Sequence, residues 1–398
     1  MRTVSEHQAF VAALIPPTQP VAVPLEQAAG RVLAVDIVAR RPLPAFDNSA
    51  MDGYAVRGAE VVSATEAAPV TLPVSADIPA GRVDTPALAV GTAHRIMTGA
   101  PVPVGADTIV QVEATDGGLD QVLIRESRPV GTAIRRAGED VAAGETVLTA
   151  GVVLGAAHLG LLAALGEPTV TVWAPLRVLV LSTGSELVAP GQDLLPGQIH
   201  ESNSIMLAAA ITACGAEATV VHSVADDVDE FLAALHPHLD RTDLILTSGG
   251  VSAGAFEVVK DALTGRGVEF VKVAMQPGMP QGAGIYAGIS TITLPGNPVS
   301  ALVSFEVFLR PAMRRAMGYP SAARPLRRML LAESLTSPPG RRQFRRGVVS
   351  EGDSTVVTIG PPASHFLRWL AVSNCLIDVP AEVTTLEAGE LVDVWLLD

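Results

Sequence analysis

The chain has 398 residues, 48% of them hydrophobic, and carries 41 acidic against 27 basic side chains for a formal net charge of −14. That length holds roughly two to four domains with real cores. The negative balance excludes nucleic acid or an anionic membrane as partner, because both would be repelled at long range, so any anionic ligand must be held by local groups.

The first residues, MRTVSEHQAF, lack a basic stretch followed by an apolar one, and no apolar run approaches the roughly 18 residues of a span, so a cytoplasmic protein without membrane segments is expected. Ser5 and Gln8 form a capping box before a short helix ending near Pro16 and Pro17, and residues 25–33 read as a second helix. From 47 to 138 short strands are cut by Pro and Gly, the pattern of a small all-β domain, with 64–73 as loop or edge strand. Helical character returns at 156–165, with Gly166 as C-cap, so the β domain is inserted into the N-terminal part. From 176 onward, strands at 178–182, 218–223, 243–247, 269–273 and 291–294 alternate with helices at 204–213, 228–239, 256–263 and 299–317. Such alternation predicts a doubly wound parallel sheet with right-handed crossovers, whose ligands lie beyond the carboxyl ends of the strands. A β-rich module follows Gly318 and Pro320 and closes in a strand at 391–397; Cys214 and Cys375, far apart among apolar neighbours, read as core residues.

The most informative stretch is 243–254, DLILTSGGVSAG, where an apolar strand runs into hydroxyls and glycines. Gly249 and Gly250 let the backbone turn so that N–H groups converge, and Ser248 and Ser252 add hydroxyls; the turn is either an anion cradle or purely structural. It lacks the lysine of a phosphate-binding P-loop, which argues against an ordinary ATPase. Five loops of this kind, at 182–186, 225–227, 248–252, 276–280 and 295–300, are expected to converge on one rim. Glu186 and Asp226, from different loops, offer the hard oxygen ligands that Mg²⁺ takes, yet both also suit the first turn of a helix. In 295–300 (PGNPVS), Pro298 stands at or near a first helical position, as a ligand-facing turn or a rigid connector. Within 44–56 (PAFDNSAMDGYAV) the polar density exceeds what turn chemistry requires, and 95–100 and 136–140 again set polar groups beside glycine.

In order along essentially the whole chain, PAFDNSAMDGYAV, RIMTGAPVP, RRAGED, STGSELV, TSGGVSAG, QPGMP, LPGNPVSA and GRRQFRRG resemble the molybdopterin molybdenumtransferase family, that is MoeA and the C-terminal part of gephyrin-like proteins. The resemblance implies a multidomain α/β protein with a split N-terminal domain (1–44 and 139–174), an inserted β domain (45–138), a doubly wound MoaB/MogA-like molybdopterin-binding domain (175–318) and a C-terminal β-barrel-like domain (319–398). It further implies an elongated homodimer with its active site between the α/β domain of one subunit and the β domain of the other. The reaction implied is insertion of molybdenum from molybdate into adenylylated molybdopterin (molybdopterin-AMP), with Mg²⁺-dependent release of AMP. Other molybdenum-cofactor biosynthesis proteins and apo-molybdoenzymes are the macromolecular partners it suggests.

Carried over motif by motif, Asp52, Thr98 and Asp140 form the acidic and polar side of the cleft, and Glu186 and Asp226 are magnesium ligands. Thr183, Gly184, Ser248, Gly249, Gly250 and Ser252 resemble the pterin-nucleotide cradle; Pro295, Gly296, Asn297, Pro298 and Ser300 resemble the substrate and molybdate wall. Arg341 either reaches the oxyanion or, with Arg342, Arg345 and Arg346, belongs to a solvated basic face. Two departures stand out. Where the family commonly has KPGKP this chain has Gln276-Pro277-Gly278-Met279-Pro280, so either Lys272 and the arginines compensate or molybdate is held weakly through backbone N–H groups and hydroxyls. Glu257 stands near a usual aspartate, as its longer replacement or as a simple helix acid. The competing readings are a molybdopterin-binding carrier with a weakened molybdate site, and an adenylyltransferase.

Overall fold

The structure is a computed structural model that describes residues 1–224, 227–250, 258–350 and 352–397. Its centre is a six-stranded sheet in the order Glu217–Val224, Arg177–Thr183, Leu244–Ser248, Ile289–Leu294, Pro280–Tyr286, Val268–Lys272. The first four strands run parallel, and Leu244–Ser248 is buried along its whole length, as a strand covered on both faces must be. Pro280–Tyr286 lies antiparallel between Ile289–Leu294 and Val268–Lys272, which corrects the expectation of an all-parallel five-stranded sheet. Its sequence, PQGAGIY, lacks the β-branched run that marks a strand. The second glycine is required by the pairing, because a Cβ at Gly284 would stand 2.0 Å from the Gly267 carbonyl oxygen.

Helices cover both faces. Asn203–Ala213 and the segment from Pro298 to Ala316 pack on one side, with Leu207, Ile211, Val303 and Phe308 in the core; Val228–Leu235 and Val258–Leu263 pack on the other. The long segment widens into a π turn at Phe305–Leu309, where Pro311 lacks the N–H that a regular α-helical ladder would use. The N-terminal helix Val4–Leu14 joins the first of these faces, with Val4 and Val11 beside Phe308 and Met313. Its capping box is Thr3 with Glu6, two residues earlier than the expected Ser5 with Gln8.

No helix forms over 25–33. Leu25–Gln27 makes one short turn, and Val32 and Leu33 bridge instead to Val153 and Val172. Pro20–Pro24 pairs with Thr169–Trp173, and Ile37–Val38 with Thr146–Leu148, so chain flanking the β domain on both sides closes on itself. The β domain is a five-stranded sheet ordered Thr108–Gln111, Gly53–Val56, Ala93–Ile96, Val70–Ile78, Gln121–Ile124. Val70–Ile78 is thus internal rather than loop or edge; Pro73 falls opposite Gln121. At the C-terminal end, Arg342–Val348, Thr355–Thr358, Leu326–Leu331, Leu391–Leu396 and Cys375–Val379 close into a five-stranded barrel. Among the described residues no helix is long and apolar enough to cross a membrane.

Candidate functional site

Beyond the carboxyl ends of Arg177–Thr183, Leu244–Ser248 and Ile289–Leu294 opens a cleft of about 570 Å³. The parallel register sets Ser182 opposite Ser248, and Ser248 opposite Leu294, so the three chain ends leave the sheet level with one another. Gly249 follows at φ +101°, where a Cβ would meet the Thr183 carbonyl oxygen at 2.8 Å, and Gly296 packs against it. Only glycine fits there. The floor is therefore backbone and hydroxyl, with Thr183, Gly184, Ser248, Gly250, Asn297 and Pro298 around it.

Asn203, at the start of its helix, ties this floor together. Its Nδ2 donates to Ser248 Oγ at 2.9 Å and to the Gly296 carbonyl at 2.7 Å. Its Oδ1 and the Thr183 hydroxyl are buried without a partner, and both residues line the cleft; such orphaned groups are what a bound ligand can satisfy. Glu201, 3% exposed, accepts from the Ser204 N–H at 2.8 Å and the Ser204 hydroxyl at 2.5 Å, which anchors the helix start and with it Asn203. Glu186 stands exposed at the rim, its carboxylate making no hydrogen bond to any described residue.

A second cavity of about 350 Å³ adjoins the first and shares Gly296, Asn297 and His365 with it. Its walls are the Gln276–Pro280 loop, the segment from Pro295 to Ser300, and residues 362–365 of the C-terminal module. Barrel and α/β domain are joined at this point. Met275–Gln276 pairs in parallel with Arg342 and Gln343, and the Val299 N–H donates to the Ser364 carbonyl at 3.1 Å. Arg346, 4% exposed, donates to the carbonyls of Phe366 and Pro361 and so holds the same loop; burial pulls its pKa below the ordinary guanidinium value. None of the described residues lining this cavity is a lysine or arginine, and Lys272 is exposed outside it.

The structure brings together Thr183, Gly184, Glu186, Ser248, Gly249, Gly250, Gly296, Asn297 and Pro298 in the larger cleft, and Pro295 and Ser300 in the smaller cavity. Asp226, Ser252 and Glu257 lie outside the described residues. Asp227 caps its helix, accepting from Asp229 and Glu230 N–H groups. Asp52 and Thr98 meet in the β domain, where the Thr98 hydroxyl and N–H both donate to Asp52 Oδ1 at 2.7 Å; those bonds hold the exposed carboxyl below its ordinary pKa. Neither they nor the exposed Asp140 line the two cavities. Arg341 precedes the barrel strand that pairs with Gln276, but does not line the smaller cavity. The solvated basic face is not formed, since Arg342 is bidentate to Asp378 and Arg346 is buried. Sequence reasoning missed Asn203, Glu201, Ser364 and His365. The polar string HESNS ahead of an apolar helix was the available signal for the first two.

Among the described residues no three or more His, Cys, Asp and Glu side chains are grouped to hold a metal ion. What is present among the described residues, the exposed Glu186 carboxylate at the rim of a cleft with unpartnered polar groups at Thr183 and Asn203, fits magnesium in its usual mode, with few protein ligands and the rest from water and substrate phosphate.

Three family descriptions match in series: the MoeA N-terminal region (domain I and II) at 2–166, a probable molybdopterin binding domain at 179–315, and the MoeA C-terminal region (domain IV) at 328–397. The chain is 58% identical to molybdopterin molybdenumtransferase 2 of Mycobacterium tuberculosis, covering 99% of each chain. With the molybdopterin molybdenumtransferase of Haemophilus influenzae it shares 35% identity over 95% of this chain and 94% of the other. Among solved structures, the molybdopterin biosynthesis MoeA protein from Pyrococcus horikosii superposes with a TM-score of 0.83 at 30% identity, covering 100% of this chain and 99% of that one.

Proposed function

Since this chain belongs to the molybdopterin molybdenumtransferase family, we propose that it transfers molybdenum from molybdate into adenylylated molybdopterin, with magnesium-dependent release of AMP. The observation that carries this reading is the pair of adjoining cavities sharing Gly296, Asn297 and His365. The larger suits a pterin nucleotide whose diphosphate lies beside the Gly249 turn, with Thr183, Asn203 and Ser248 as its polar contacts. The smaller, about 350 Å³ and lined by short polar groups, suits a tetrahedral oxyanion set directly beside it. Glu186, exposed at the rim of the larger cleft, holds magnesium in this reading, which would neutralise charge on the phosphates. The chain's own part is to bind both substrates in one orientation and so make their encounter intramolecular.

Asp52, Thr98 and Asp140 serve this site from the β domain of a second copy of the chain, in a homodimer. The absence of lysine and arginine from the described lining of the smaller cavity favours a second reading, a carrier that retains molybdopterin without turning over molybdate. Incubating the purified protein with adenylylated molybdopterin separates the two. AMP release that requires both magnesium and molybdate is the expected result; tight pterin-nucleotide binding by calorimetry with no molybdate-dependent AMP identifies the carrier.

A further inference from the structure

We propose that Gln276, oriented by Gln343, is the specificity-determining residue of the smaller cavity, an amide that donates hydrogen bonds to the oxyanion where an ammonium group is absent. The inference rests on the reading that this cavity takes molybdate.

The parallel pairing sets Gln276 level with Gln343 of the barrel, so the two side chains leave on the same face. Gln343 is 2% exposed, and its Nε2 donates to Gln276 Oε1 at 2.7 Å. That bond uses the acceptor of the Gln276 amide and leaves its two N–H donors for the cavity that Gln276 lines. The loop behind it is held as well. Gln281, 1% exposed, donates from Nε2 to the Gly278 carbonyl at 2.6 Å and to Ser304 Oγ at 2.7 Å. Gln276 is therefore a fixed, neutral donor fed from another domain, in a wall whose described lining has no lysine or arginine. An amide N–H donating to an anionic oxygen gains from the anion's charge but brings no charge of its own, so it adds no ion-pair term for salt to screen. This wall should select its oxyanion by bond geometry more than by charge.

Calorimetric titration of the full-length protein with sodium molybdate at low and high ionic strength tests the assignment. Gln276→Ala and Gln343→Leu are each expected to weaken molybdate binding roughly ten- to a hundredfold, the worth of one hydrogen bond to a charged group, with the salt dependence unchanged. Gln276→Lys is expected to tighten binding at low salt and to make it fall steeply as salt rises. Thermal melts establish that each variant is folded; because Gln276 sits at the cavity edge, its two variants carry the test even where Gln343→Leu fails to fold. Wild-type affinity in Gln276→Ala, or a Gln276→Lys protein with no new salt dependence, overturns the amide role. If wild-type protein still releases AMP in a molybdate-dependent way, only that role falls; if wild type neither binds molybdate nor releases AMP, the reading of function falls with it.

Discussion

Asn203 makes one surface out of chain ends that are 45 and 93 residues away from it in sequence, through its bonds to Ser248 and Gly296. Replacing it with Leu leaves the Gly296 carbonyl and the Ser248 hydroxyl without their donor and removes the polar group facing the ligand. The expected loss is about 1–3 kcal/mol of stability together with most pterin-nucleotide affinity; denaturant titration and ligand calorimetry on Asn203→Leu check both, and unchanged affinity would remove Asn203 from the site. Gly249 and Ser248 were legible in the sequence because their chemistry is local, a turn that only glycine permits after a buried strand. Asn203 was not, because an Asn at a helix start is ordinary until its neighbours in space are known. The two cysteines were equally legible. Both are buried, and burial pushes the Cys214 thiol up to about 11 and the Cys375 thiol up to about 12.

The N-terminal helix shows what decides an element's exact placement. Thr3 with Glu6 and Ser5 with Gln8 are both capping boxes on paper, and the first is used because it seats Val4, His7 and Val11 against the α/β core. His7 is fully buried, edge-on to the Phe308 ring at 4.7 Å, and its Nε2 has no partner. Burial first, and then the Arg2 charge, lower its pKa from 6.5 to about 4. Below the unfolded value the unfolded chain takes up a proton that the folded chain refuses, so stability falls as pH drops from about 6.5 towards about 4. The full effect is on the order of 3 kcal/mol at the acid end. His7→Leu is expected to flatten this part of the stability–pH curve, as read by denaturant midpoints between those limits; an unchanged slope would mean that other groups set it. Elements with strong local patterning, such as Leu244–Ser248, were evident before the fold was known. Pro280–Tyr286 was not, since its glycines satisfy a close neighbour rather than a propensity.

At the scale of the whole molecule, the α/β sheet and the C-terminal module meet around the two cavities, while Asp52 and Thr98 line neither. If a second copy completes the site, Asp52→Asn and Glu186→Gln proteins, each inactive alone, should recover about a quarter of wild-type AMP release when mixed as subunits, because half the dimers then hold one intact site. No recovery in a preparation that sediments as mixed dimers would place the whole site in a single chain. Family, fold class and the glycine and hydroxyl loops followed from the amino-acid sequence alone, because order along the chain and local backbone chemistry carry them. Which loops share a cavity, which capping box is used, and that Gln276 takes its orientation from a barrel residue were decided only by tertiary structure, because those relations arise when segments far apart in the chain pack together.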